Sequence, residues 1–182
     1  AGFESTGIDD NATSTAITID ASENVGIGTA APSANLHVEG GSSSIRVNES
    51  GGGDLRLSVT GSTTRINGYS NHPMLFSTNN TERMRIDGST GNVGIGVVPE
   101  AWNTNQTALQ VGNRLALSNT SSGYVLLSSN YYQHTDGASK YIVTDEASQI
   151  SLNPDGTIGF SVAPSGTADS AISWTTAMTI DN

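Results

Sequence analysis

Residues 84–99 read Met-Arg-Ile-Asp-Gly-Ser-Thr-Gly-Asn-Val-Gly-Ile-Gly-Val-Val-Pro, and the chain carries this stretch more than once. An earlier copy has Ile-Thr-Ile-Asp at 17–20, Asn-Val-Gly-Ile-Gly at 24–28 and then Pro32. The last six residues repeat its beginning and stop where a third Asn-Val-Gly-Ile-Gly is expected. We call Asn-Val-Gly-Ile-Gly the head motif. Its recurrence predicts a modular protein, and we expect the sequence to be part of a longer chain.

The head motif alternates with period two, so its Val and Ile side chains face one way and its central glycine the other. Glycine weakens a strand unless a bend or the close approach of another backbone requires it. We therefore expect the motif to pack against other copies of the chain, the alternative being a tight bend within one chain. The positions concerned are Val25, Gly26, Ile27, Gly28, Val93, Gly94, Ile95 and Gly96.

The spacing Gly26-x-Gly28-x-x-Ala31 matches a dinucleotide-binding fingerprint in form only. That motif needs a helix directly after the glycines to present its N-terminus to the pyrophosphate. Pro32 follows instead, and no helical spacing of apolar residues continues from it. We therefore expect no nucleotide cofactor, and no other cofactor is indicated.

Composition favours an all-β protein of many short strands with few or no helices. Only 35% of the 182 residues are hydrophobic, and they occur in short alternating strips between turn residues. No apolar run approaches the length that crosses a membrane. The net charge of −10 disfavours binding to nucleic-acid phosphate, and the absence of Cys excludes disulfides and thiolate metal sites.

The repeats divide the chain into modules with fixed heads and variable bodies. A hairpin is predicted from Met74 to Asp87 with its turn at Asn79-Asn80, a strand at Tyr141-Ile142-Val143, and a type I turn at 153–156. The predicted divisions are 1–15 as the end of a preceding module, 16–83 as the first module, 84–176 as the second module with longer loops, and 177–182 as the start of a third.

The strings Ala16-Ile-Thr-Ile-Asp20, Asn-Val-Gly-Ile-Gly with a following Pro and Leu-x-Val, and the stretch from Lys140 to Asp181 resemble the shaft modules of tailed-bacteriophage tail fibres. In such fibres similar modules often precede an endosialidase-type intramolecular chaperone domain. The resemblance implies an elongated parallel homotrimer in the virion, outside the cell, that adjoins other fibre or tail proteins. It implies a spacer that supports host attachment, and a bacterial surface adhesin shaft stays open as an alternative.

A glycan-cleaving fibre domain is another alternative, because a hydrolase of that kind uses two carboxylates with divergent pKa values. Candidate carboxylates lie mostly in predicted turns, where Asp is favoured for backbone reasons. They are Asp136, Asp145, Glu146, Asp155 and Asp169. The three His residues lack metal-ligand spacing. We therefore expect no catalytic residue and no metal site. His37 alternates with Leu36 and Val38 and is expected to face solvent, although a His on a three-fold axis could bind a metal with its two symmetry mates.

Exposed aromatic rings are the usual platform for sugars, so exposed aromatic residues are candidate glycan contacts. Tyr131 and Tyr132 lie in a predicted polar loop from Asn130 to Gly137 and are the best candidates. Adjacent strand residues face opposite ways, so one of the two rings is expected to be packed. A host surface glycan is thus a candidate partner beside the chain itself.

Overall fold

A computed structural model of the chain describes residues 16–48, 54–68 and 71–182. These residues form strands, turns and bends without a helix, so the predicted all-β class is confirmed. The chain divides into two compact units, one reaching to Ser70 and the other running from Asn71 to Asn182. The predicted end of a preceding module at 1–15 lies outside the described residues.

The first unit contains two three-stranded sheets. In one sheet, the middle strand pairs antiparallel with the strand before it and parallel with the strand after it. The other sheet is an antiparallel meander. The strands are β1 (Ile17–Ile19), β2 (Val25–Ile27) and β3 (Leu36–Val38) in the first sheet, and β4 (Ser43–Asn48), β5 (Asp54–Thr60) and β6 (Thr63–Gly68) in the second.

The second unit is built on a nine-stranded sheet with a two-stranded ribbon beside it. Its strands are β7 (Met74–Thr78), β8 (Thr81–Ile86), β9 (Val93–Ile95), β10 (Gln106–Val111), β11 (Leu115–Thr120), β12 (Val125–Ser129), β15 (Asp145–Leu152), β16 (Ile158–Gly166) and β17 (Thr175–Ile180). They lie side by side in chain order, interrupted only by the ribbon of β13 (Tyr132–Gln133) and β14 (Ser139–Lys140). All neighbours are antiparallel except β9 and β10.

The two head motifs have the same topology in the two units. β9 pairs antiparallel with β8 and parallel with β10, just as β2 does with β1 and β3. The parallel registers also match, since Val25 lies opposite Leu36 and Val93 opposite Leu109. The sequence repeat is therefore also a structural repeat.

The core lies on one face of the nine-stranded sheet, beneath a cover of aromatic rings. Trp102 makes edge-to-face contacts with Tyr131 and Tyr132, with ring centroids 6.0 and 6.2 Å apart. Ala108 and Ala116 are buried on the sheet in the same cluster. Small side chains on the strands leave room for large rings above them, so the cover lies close to the sheet.

The predicted hairpin and turn are confirmed. β7 and β8 pair antiparallel, and Asn79 and Asn80 both have positive φ, as a two-residue turn between twisted strands requires. At the later turn, the Gly156 N–H donates to the Asn153 carbonyl at 3.0 Å. Asn79 and Asn80 in the first turn and Gly156 in the second tolerate the left-handed conformation, which explains why local sequence predicted both turns correctly.

The predicted strand at 141–143 is wrong. These residues form an irregular segment whose backbone is held by a side chain, because the Asn130 Oδ1 accepts from the Val143 N–H at 2.7 Å and the Asn130 Nδ2 donates to the Val143 carbonyl at 3.0 Å. The Tyr141 hydroxyl donates to the Pro164 carbonyl at 2.6 Å. Side-chain partners thus satisfy backbone groups that a strand ladder would otherwise pair.

Asn130 is fully buried, has positive φ and also donates to the Glu146 carbonyl at 2.9 Å. We expect Asn130→Gly, which retains the backbone freedom and loses three hydrogen bonds, to lower the free energy of unfolding by about 2 kcal/mol. Asn130→Ala should lower it by roughly 1 kcal/mol more, because it adds left-handed strain. Chemical denaturation measures both changes. Asn79→Gly, at an exposed positive-φ turn, is the matched control, and equal stability of Asn130→Gly and the parent would contradict this role.

Candidate assembly interface

One row of cross-strand neighbours crosses all nine strands of the large sheet, and every residue in it is apolar. Cross-strand partners share a face of a sheet, so the row lies on one side. We call this side the apolar face. The row consists of Met74, Ile86, Val93, Leu109, Leu117, Leu127, Ile150, Phe160 and Met178.

The rows on either side extend the apolar face. Their paired positions hold apolar or small polar residues, and none of these described positions is charged. The apolar members are Phe76, Met84, Ile95, Val111, Leu115 and Val162 in one row, and Val125, Leu152, Ile158 and Ile180 in the other. A chain with net charge −10 thus carries no charge at the paired positions of these three rows.

Burial across the large sheet is the reverse of that in a self-sufficient domain. Leu117 and Leu127 on the apolar face are 46% and 44% exposed, whereas Gln110 and Ser128 on the opposite face are 0% and 3% exposed. Large aliphatic side chains are normally the ones inside, and contiguous exposed apolar surface marks an interaction site. The described residues therefore cover one face of the sheet and leave the other partly exposed.

The first unit shows the same property more strongly. Its sheets also have all-apolar cross-strand rows, which are Ile17, Ile27, Val38; Ile19, Val25, Leu36; and Ile45, Leu57, Ile66. In the described part of the chain, the buried apolar side chains all belong to the second unit. The described strands of the first unit thus have apolar rows without a buried core of their own.

The structure places the head residues Val25, Ile27, Val93 and Ile95 on these rows. Ile27 and Ile95 are exposed, and Val25 and Val93 are half-buried. These side chains are therefore available for packing against another chain, and that packing stays a prediction.

The head glycines are explained within one chain, which corrects the expectation that another backbone approaches them. A Cβ on Gly26 would lie 2.7 Å from the Thr29 carbonyl oxygen, and one on Gly94 would meet the Val97 carbonyl and lie 2.8 Å from the Pro99 Cδ. The segment after each strand folds back over its glycine. Gly28 and Gly96 have φ of 76° and 67°, so they too serve the bend.

Asp20 and Asp87 close equivalent turns at the start of the two head motifs. The Asp20 carboxylate accepts from the backbone N–H of Asn24 at 2.9 Å, and the Asp87 carboxylate accepts from that of Thr90 at 2.8 Å. These hydrogen bonds hold the pKa of both carboxyl groups below the ordinary value. Asp155 is held in the same way by Thr157, which also lowers its pKa. A recurrent Asp thus has a turn-forming role.

Two further candidate carboxylates form ion pairs. Lys140 lies 2.8 Å from Asp136 and is the main reason that the pKa of Asp136 is well below its usual range. A hydrogen bond with Glu146 and the guanidinium of Arg114 lower the pKa of Asp145. Both groups stay ionised near neutral pH, as ion-paired carboxylates do.

Asp169 lies close to Tyr132 and Glu100, and the sequence analysis named Asp169 and Tyr132 but not Glu100. The Tyr132 hydroxyl donates to the Asp169 carboxylate at 2.7 Å, which ties a loop to the aromatic cover. Burial, and then the charge of Asp169, raise the pKa of the nearby Glu100. Glu100 lies far from Asp169 in sequence, so no local pattern connects the two. The absence of catalysis stays a prediction.

Tyr131 and Tyr132 are not exposed rings. Both are 3% exposed and pack against Trp102, which corrects the expectation that either offers its face to a sugar. Adjacent residues on a regular strand would face opposite ways, but Tyr131 precedes β13, which begins at Tyr132. A bend at Asn130 turns both rings into the aromatic cover.

The structure assigns no metal cluster to the described residues: no group of three His, Asp or Glu side chains there could hold an ion. His37 lies on β3 opposite Gly26, is half-buried, and accepts from the Ser33 N–H at 3.3 Å. Among residues 16–48, 54–68 and 71–182 no helix is long and apolar enough to cross a membrane. No protein-family model matches the chain, and a search of curated proteins finds no match.

The glycine contacts predict a sharp difference between two substitutions. Gly94→Ala should lower the free energy of unfolding by about 2 kcal/mol, because the new methyl group meets the Val97 carbonyl and Pro99 of the same chain. Gly41→Ala, where a Cβ would meet nothing within 4 Å, should change it by less than about 0.5 kcal/mol. Thermal and chemical unfolding measure both. Equal stability of the two variants would show that the bend tolerates a side chain.

The turn carboxylates predict acid sensitivity. The pKa of Asp20, Asp87 and Asp155 in the folded chain lies below the ordinary value of 3.8. Their stabilisation is therefore present above that value and is lost as the pH falls below it through the lower pKa of the folded state. The melting temperature should therefore fall between about pH 5 and pH 2. Asp87→Asn should show a shallower fall, since one titrating group is gone. An identical dependence of melting temperature on pH in the variant would show that Asp87 does not contribute to the acid sensitivity.

Proposed function

We propose that this chain is a structural segment of a phage tail fibre, an elongated homotrimeric spacer that supports host attachment. The observation that carries the proposal is the apolar row that crosses nine strands, in which Leu117, Leu127 and Met178 are nearly half exposed and the other members are half-buried. Apolar surface of this extent marks an interaction site, and the described residues leave it partly exposed.

A second copy is the occupant that best fits the apolar face. Ten of its large apolar side chains, each near half exposed, offer on the order of 800 Å² together, which is what one partner contributes to a standard interface. They are Phe76, Ile95, Leu115, Leu117, Val125, Leu127, Leu152, Val162, Met178 and Ile180. The rows carry no charge at their described positions, so chains can meet there without burying like charges against each other.

Parallel alignment follows from the distribution of the rows. Both units have all-apolar rows built on equivalent head motifs, so parallel chains bring like units together and cover both at once. The number three comes from the resemblance to fibre shafts. The module divisions at 16–83, 84–176 and 177–182 are then successive segments of one shaft.

The acidic exterior suits such a spacer. With −10 per chain, a trimer carries three times that charge on its outer surface, which keeps rods soluble and mutually repelling. The chain would lie outside the cell in the virion and join other fibre or tail proteins at its two ends. The spacer needs no cofactor and no chemistry of its own.

Substitution on the apolar face tests assembly directly. The parent chain of 18.7 kDa should sediment at about 56 kDa, three times the monomer mass. The double variant Leu117→Asp with Leu127→Asp should sediment as a monomer, because two adjacent carboxylates would be buried between chains. Analytical ultracentrifugation measures the masses, and circular dichroism checks that β structure remains.

Leu75→Asp is the matched control. Leu75 is 49% exposed, like Leu117, but pairs with Arg85 on the opposite side of the sheet. It should leave the trimer intact. A parent chain that is a folded, thermally stable monomer would overturn the proposal, and loss of assembly in the control alone would place the interface on the other face.

A further inference from the structure

A polar groove of about 530 Å³ lies on the face of the large sheet that carries the aromatic cover. Its floor is formed by β12 and β15, including Leu126, Gln149 and Ser151, whose side chains point away from the apolar face. Its wall is formed by Tyr131 of the aromatic cover and by Trp174, whose ring contacts Tyr131 edge to face. Sites for small molecules have volumes of about 300–1,000 Å³, so the groove has the size of such a site.

The chemistry of the groove is uniformly neutral. All of its described lining residues carry amide, hydroxyl, aromatic or aliphatic side chains, although the chain as a whole is strongly acidic. Amides and hydroxyls both donate and accept hydrogen bonds. Such a lining matches a ligand that is itself rich in uncharged hydroxyl groups.

One buried acceptor in the groove has no partner in the protein. Gln106 is 6% exposed, its Nε2 donates to the Gln133 Oε1 at 2.5 Å, and its own Oε1 is buried without a hydrogen bond. Gln133 in turn donates to the Gly137 carbonyl at 3.3 Å, so the chain of donors fixes which way the Gln106 amide points. Buried acceptors are nearly always satisfied, and because the Gln106 side chain lines the groove, a rotation of its amide would bring this acceptor within reach of a ligand hydroxyl.

Aromatic rings supply the second element of sugar recognition. Tyr124 is 41% exposed at the edge of the groove, and Trp174 is half-buried in its wall. The C–H faces of a pyranose pack on such rings, while its hydroxyls reach amides nearby. These two rings, rather than Tyr131 and Tyr132, have the exposure that this contact needs.

The sheet argues against a peptide. Peptides commonly bind by adding a strand to a free sheet edge. The floor strands β12 and β15 each have hydrogen-bonded neighbours on both sides, so they offer no edge.

We propose that this groove binds a neutral saccharide of one or two sugar units, with Gln106 as a hydrogen-bond acceptor and Tyr124 and Trp174 as stacking surfaces. The groove and the apolar face lie on opposite sides of the sheet, so binding and self-assembly use different surfaces. The inference does not rest on the spacer function.

The test titrates the purified full chain with glucose, galactose, N-acetylglucosamine and their disaccharides while tryptophan fluorescence and saturation-transfer NMR are recorded. At least one neutral sugar should bind saturably with a Kd on the order of 1 mM. Tyr124→Ala should weaken that binding by about tenfold, as loss of one stacked ring predicts. Gln106→Met, which removes both amide atoms and keeps the volume, should weaken it similarly.

Leu75→Ala, at an exposed site outside the groove, is the control and should bind as the parent does. Absence of binding to every neutral sugar would overturn the proposal, as would binding that neither Tyr124→Ala nor Gln106→Met weakens. Equally strong binding of sialyllactose, which is anionic, would contradict the proposal that the ligand is a neutral saccharide. Sedimentation of the same samples reports assembly separately, so failure of the groove is distinguishable from failure of the trimer.

Discussion

The structure depends on one packing constraint: the large sheet puts its small side chains under its own cover and its large ones on the open face. Ala116 is buried beneath the aromatic cover and Ser128 is buried on the same face, whereas their strand neighbours Leu117 and Leu127 stay exposed. Burial of apolar surface is the main favourable contribution to folding, so a sheet with this arrangement gains only part of it from one chain. The remaining part is available only through contact with another surface.

The head motif connects this constraint to the sequence. Val and Ile at alternate positions extend the apolar rows, while the glycine between them lies beneath the segment that returns over it to the proline. A short parallel strand follows in register, so each head adds two strands to its sheet in a fixed geometry. Variation in the bodies leaves this geometry unchanged because the contacts of the head are local.

Local patterns predicted local structure well. The β7–β8 hairpin with Asn79 and Asn80, the turn closed by Gly156, and the repeat of the head all follow from turn chemistry and period-two alternation. The failures involve contacts between distant residues. The aromatic cover joins Trp102 to Tyr131 and Tyr132, and the segment at 141–143 owes its irregular course to Asn130. Neither the alternation of residues nor their propensity indicates which distant side chain will satisfy a backbone group. The unpartnered Oε1 of Gln106 could not be predicted from the sequence for the same reason.

Pairing of the apolar face with itself is the central claim, and single spin labels measure it most directly. The chain has no Cys, so Leu127→Cys and Ile45→Cys each introduce one unique labelling site, one in each unit. A parallel assembly on these rows predicts strong dipolar coupling between identical labels in both variants, because equivalent residues meet around a common axis. The account would be contradicted by absence of coupling in both variants, or by coupling that arises only when the Leu127→Cys and Ile45→Cys chains are mixed.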